Sequence, residues 1–135
     1  MGAWGIGPFD NDDAAEFAAS LDDLKPEEKA DAIRTVLAGV ATVTDYLARD
    51  AGGAAVAAAA LVAAQQADGE PVDWVYGPKQ EIPRLPRDLP PIALRALSRV
   101  LAGQSELTES WHGSPNRDAW FSMIGRLTNV LAVAG

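Results

Sequence analysis

The sequence predicts an all-α fold: an irregular bundle of about five helices, with a glycine-rich N-terminal arm over residues 1–10 and a long proline-rich connection over residues 69–91. Three observations lead there. Apolar residues recur at spacings of three and four and rarely alternate, alanine is abundant, and strand-like character is confined to a short stretch near Val72 to Tyr76. A chain of 135 residues that is 48% hydrophobic and 22% charged is long enough for one core and too short for two comfortable ones, so one helical domain spanning 1–135 is expected.

The first helix is expected from Asn11 to Leu21. Asp10, Asn11, Asp12 and Asp13 stand at its start, where carboxylates accept bonds from free backbone N–H groups and oppose the helix dipole. Asp13 and Glu16 have capping-box spacing. Pro26, Glu27 and Glu28 open a second helix, because proline suits a first turn and acids suit its positive end. Ile33, Val36, Leu37, Val40, Val43, Thr44 and Leu47 line one face of it, so it must pack against something. Gly52 and Gly53 then break the chain before a third, alanine-rich helix from Ala54 to Ala67, whose small side chains allow close packing from several sides, as in a central helix.

From Gly69 to Pro91 there are six prolines and no helical period, which predicts an extended connection. Trp74, Tyr76, Ile82, Leu85 and Leu89 argue that it is tied down. A fourth helix follows Pro90 and Pro91, with Ile92, Ala93, Ala96, Leu97, Val100 and Leu101 inward, Arg95 and Arg99 outward, and Gly103 at its end. A short helical piece near Glu106 to Trp111 and a turn at Gly113 and Ser114 lead into the last helix, whose Trp120, Met123, Ile124, Leu127, Val130 and Leu131 form a core face. There is no internal repeat.

Charge and composition narrow the function classes. The net charge of −8 argues against nucleic acid, which is bound through clustered Lys and Arg. Up to Glu70 there are 13 acids against 4 bases, and from Pro71 onward 6 against 7, so the acidity belongs to the first half. The absence of Cys excludes disulfides, thiolate metal sites and cysteine nucleophiles. Asp10 to Asp13 interrupt any apolar run that could serve as a secretory signal, and Ala51 to Ala67 is too short and too alanine-rich for a membrane span, so a cytoplasmic location away from membranes is expected.

The opening Gly2, Trp4, Gly5, Gly7, Phe9, Asn11, Asp12 and Ala14, followed by Phe17, resembles the start of a family of small bacterial proteins known as a domain of unknown function, whose members open Met-Gly-x-Trp-Gly-x-Gly-x-Phe-x-Asn-Asp. The block ALRALSRVLAGQSELTESW is similar to a second family pattern, and another Trp follows in the last helix. The resemblance implies a mainly helical domain and carries no activity with it. The insert with Trp74 and Tyr76 lies outside the family pattern.

The chemistry of the motifs points to binding rather than catalysis. The arm glycines let the backbone turn sharply, with Trp4 and Phe9 as anchors. Alternatively they frame a pocket into which Asn11 and Asp12 point. Asp10, Asn11, Asp12, Asp13 and Glu16 lack the spacing of a calcium loop, and a lone histidine makes zinc poorer still, so no metal and no cofactor is expected. No nucleophile elbow, phosphate loop or dinucleotide fingerprint is present. The candidate binding residues are Trp4, Asn11, Asp12, Trp74, Tyr76, Arg95, Trp111 and His112; none is assigned to catalysis.

Three functions follow. The first is a non-catalytic binding or regulatory protein that engages a protein partner, basic in character, through an acidic face including Asp22, Asp23, Glu27 and Glu28. The second is a small-molecule binding protein with a pocket under the proline-rich connection, where Arg84, Arg87, Arg95 and Arg99 could hold an anion beneath Trp74 and Tyr76. The third is an enzyme using Asp12, Glu16 and His112.

Overall fold

The computed structural model describes residues 5–71 and 77–134. Six helices follow one another: α1 (Asp12–Asp22), α2 (Pro26–Ala41), α3 (Arg49–Ala64), α4 (Leu89–Leu101), α5 (Glu106–His112) and α6 (Arg117–Ala134). There is no strand among the described residues, and an isolated parallel bridge joins Leu47 and Ser105. No described helix is long and apolar enough to cross a membrane.

The arrangement is organised by α3. From Ala55 to Ala63 every residue is buried, and the helix touches α1, α2, α4, α5 and α6. Only small side chains make this possible, since a helix ringed by neighbours has no room for long residues on every face. Helix α4 is the second inner element, packed on α2, α3, α5 and α6 through Ala93, Ala96, Leu97 and Val100. The core is one cluster, with Phe9, Leu21, Ile33, Leu37, Leu61, Leu97, Ile124 and Leu131 among its large members.

Several boundaries differ from the sequence expectation, each for a local reason. Helix α3 begins at Arg49 and runs straight through Gly52 and Gly53, both buried. The glycines serve close approach instead of a break. A Cβ on Gly53 would lie 3.3 Å from Asn11 Oδ1 and from Asp13 Cβ, and one on Gly52 would lie 3.4 Å from Leu107 Cβ. Each glycine costs the helix about 1 kcal/mol relative to alanine, which the contact of α1 and α5 must offset.

Helix α2 stops at Ala41, where the Thr42 hydroxyl donates to the carbonyls of Ala38 and Gly39. Val43, Thr44 and Leu47 therefore lie beyond the helix. Leu47 is nonetheless buried, because its backbone is paired: its N–H donates to Gln104 O at 2.8 Å, and Glu106 N–H donates to its carbonyl at 2.9 Å. Arg99, expected outward, turns onto the same loops. Its guanidinium donates to the carbonyls of Val43 (2.9 Å), Gly103 and Gln104 (both 3.2 Å) and Asp45. Helix α4 takes in Leu89, Pro90 and Pro91 in its first turn, where missing N–H groups cost nothing. It ends without the help of Gly103, and the left-handed residue after it is Gln104, with φ of 62°.

The capping of α1 also shifts. Asn11 is the N-cap, its Oδ1 accepting from Ala14 N–H at 2.8 Å, so the Asp13 and Glu16 pair does not form a box. In the arm, no described glycine has positive φ. Gly5 and Gly7 leave room for a side chain: a Cβ on either would stand 2.7 Å from Asp10 Oδ2, the oxygen that accepts from Gly7 N–H at 3.1 Å, and would displace that carboxylate. The arm is thus coiled round the Asp10 carboxylate, and the turn delivers Phe9 into the core.

The described part of the connection is tied down by polar side chains that reach its backbone. Asp22 accepts from Lys79 N–H and Gln80 N–H at 2.9 Å, Lys29 Nζ donates to Glu81 O at 3.2 Å, and Gln65 donates to Pro83 O at 2.9 Å while accepting from Leu85 N–H at 2.8 Å. An Arg34–Asp88 pair, with one bond at 3.0 Å, closes its C-terminal end. Leu85 and Leu89 are buried and Ile82 half-buried, as expected. The short strand expected near Val72 to Tyr76 falls outside the described residues, as do Trp4, Trp74 and Tyr76.

Because α3 has no free face along its middle, Ala58→Leu should lower stability by about 1–3 kcal/mol through overpacking. Urea denaturation checks this. Ala54→Leu, at a half-buried position of the same helix, should cost less.

Candidate functional site

The concave feature that combines size with an apolar floor lies between the arm, α3 and α6, with a volume of about 430 Å³. Each wall has a local cause. The Asp10 turn brings Gly7, Pro8 and Phe9 to one side. Ala60 and Ala63 of α3 form a low floor, since methyl groups fill little space. Met123, Leu127 and Val130, at helical spacing on α6, form the opposite wall. Asp68, Glu70 and Pro71, where the chain leaves α3, complete the rim with Arg126 and Asn129. Across the mouth, Arg126 Nε stands 3.2 Å from Glu70 Oε1, both side chains being more than half exposed. An apolar floor with charged groups only at the edge suits an apolar body with a polar end.

A second, shallow recess is acidic: Asp13, Glu16, Phe17, Ser20 and Asp50 line it between α1 and α3. Arg49 Nε lies 3.5 Å from Asp13. Among the described residues no group of three or more His, Asp or Glu could hold a metal ion.

The sequence-derived candidates are dispersed. Asn11 is occupied as the α1 cap, and Asp12 is exposed beside it. Arg95 is exposed on α4, in a shallow depression with Ala41, Leu94, Ser98 and Arg99. Arg99 is committed to backbone carbonyls and is not free for a ligand. Trp111 stacks on Trp120 with centroids 5.6 Å apart and planes 10° from parallel, and Phe121 meets Trp120 edge-on at 5.1 Å. His112 leans on Phe121 at 5.4 Å, on the α5–α6 side, whereas Glu16 belongs to the acidic recess of α1. The groove residues of α6 were legible only as core, and Arg126, Asp68 and Glu70 carried no signal that set them apart from other surface charges.

The profile of a protein family described as a domain of unknown function (DUF4259) matches residues 2–123. The chain belongs to this family. The DUF4259 match takes in the arm, helices α1 to α5 and the first turns of α6. It ends at Met123, so Arg126, Leu127, Asn129 and Val130 of the groove wall follow the matched region. No curated protein and no solved structure matches the chain.

Tyr46 shows how the carboxylates of this DUF4259 chain are used internally. Its hydroxyl donates to Glu109 Oε1 at 2.8 Å, joining the α2–α3 loop to α5. This hydrogen bond, with the nearby Glu109 charge, raises the phenol above its ordinary value of 10.0. A raised folded-state value means that the contribution to stability is present below pH 10 and lost as pH rises through the folded value. In a Tyr76→Phe background, ultraviolet titration should place Tyr46 above 10.0, and Glu109→Gln should bring it back toward that value.

Proposed function

We propose that this chain is a non-catalytic binding protein whose groove between the arm, α3 and α6 takes a small, largely apolar molecule. The observation that carries the reading is the groove itself. Its volume of about 430 Å³ falls in the range of small-molecule sites, its floor is apolar, and its few polar groups stand at the rim. Glu70 and Pro71, near the start of the proline-rich connection, belong to its lining. No arginine cluster is needed for it.

An uncharged environment-sensitive dye, N-phenyl-1-naphthylamine, tests this. The folded protein should enhance its fluorescence, and Leu127→Glu, which sets a carboxylate among apolar groups, should weaken binding at least tenfold. Leu127→Met should bind as the parent does. Equal dye binding by all three proteins would remove the groove from consideration.

A protein partner remains the second reading, favoured by α1, which carries Asp12, Asp13, Glu16 and Asp22 and no base. Not every acid is available to it. Asp22 holds the connection and Glu28 caps α2 through Lys25 N–H at 2.9 Å, so reversing either disturbs the fold. Asp12, Glu16, Asp23 and Glu27 are exposed. A basic protein that copurifies at low salt should be lost when Glu16 and Asp23, which lie outside the first turns of the helices, are changed to Lys, with thermal stability retained.

A further inference from the structure

We infer that the molecule taken by the groove carries a positively charged head on its apolar body, an inference that rests on the groove reading above. The rim holds three charged side chains, Asp68, Glu70 and Arg126. Arg126 is already answered by Glu70 at 3.2 Å. Asp68 is exposed and has no hydrogen-bond or ion-pair partner among the described residues, so the uncompensated charge at the mouth is negative.

Each class of head group meets this rim differently. An anion would have to displace Glu70 from Arg126 and sit beside Asp68, exchanging one ion pair for another while gaining a repulsion. A neutral head gains the apolar contacts and nothing from the rim. A cation meets Asp68 directly and leaves the Glu70–Arg126 pair intact. The net charge of −8 acts in the same direction at longer range, where salt screens it, whereas contact with Asp68 is short-range and screened less. A quaternary ammonium or protonated amine on an alkyl or aryl body is therefore the class that fits.

The experiment is calorimetric titration with decyltrimethylammonium, decyl maltoside and decyl sulfate, each below its micelle-forming concentration. The expected order is cation, then neutral, then anion. Asp68→Asn should weaken the cation about threefold to fivefold, the scale of one exposed ion pair, and leave the maltoside unchanged. Glu27→Gln removes one exposed charge outside the groove lining and should leave all three unchanged. Arg126→Gln, which frees Glu70, should strengthen the cation.

Sulfate binding as tightly as ammonium would overturn the inference while leaving the groove in place. So would equal effects of Asp68→Asn and Glu27→Gln, which would assign the preference to overall charge. Failure of all three amphiphiles to bind would overturn the groove reading and this inference with it.

Discussion

The close packing of α3 against five neighbours is the contact on which the structure depends. An alanine side chain buries little area by itself, so α3 contributes less through its own transfer from water than through the approach it permits. Leu21 and Ala18 of α1, Ile33 and Leu37 of α2, Leu97 of α4 and Ile124 of α6 are all buried around it. Larger residues on α3 would push these helices apart and expose their leucines and isoleucines, each worth about 1.5–3 kcal/mol when fully buried. Gly52 and Gly53 extend the same logic to the N-terminal end of α3, where Leu107 of α5 and Asn11 and Asp13 at the start of α1 lie against them.

The proline-rich connection poses a different problem. Prolines donate no hydrogen bond, and a segment without helix or strand must satisfy its remaining polar groups elsewhere. Asp22 of α1, Lys29 of α2 and Gln65, which follows the last residue of α3, supply that satisfaction to residues 79–85. Lys29 is only 2% exposed, so its ammonium is spent on a backbone carbonyl under the connection and not on the surface. Arg99 performs the corresponding task for the loops after α2 and α4. Asp22, Lys29 and Arg99 are thus employed in holding irregular backbone, and Asp22 is to that extent withdrawn from the acidic face.

Helical periodicity made the all-helical class, the central alanine-rich helix and the α6 core face legible in the sequence, because each is a repeated pattern over many residues, whereas the described helices number six against about five expected. Single residues misled where their role depends on a distant partner. Gly52 and Gly53 read as a break, since nothing local reveals that Asp13 and Leu107 press against them. Leu47 fitted the α2 period, yet its burial comes from pairing with the Gln104 to Glu106 loop. Arg99 fell on the polar face of α4 and turned to carbonyls that only the folded loops bring near. The groove was not legible at all: its apolar residues are indistinguishable from core until the arm, α3 and α6 are assembled around an opening.

The groove depends on the same helix as the core does, since Ala60 and Ala63 are its floor. Amide hydrogen exchange followed by nuclear magnetic resonance therefore tests the central claim most directly. The amides from Ala55 to Ala63 should exchange only through global unfolding, with opening free energies equal to that from denaturant melting and higher than those of α1 and α5. Exchange of these amides through smaller, local openings while α2 and α4 stay protected would show that α3 is not the element on which the others rest.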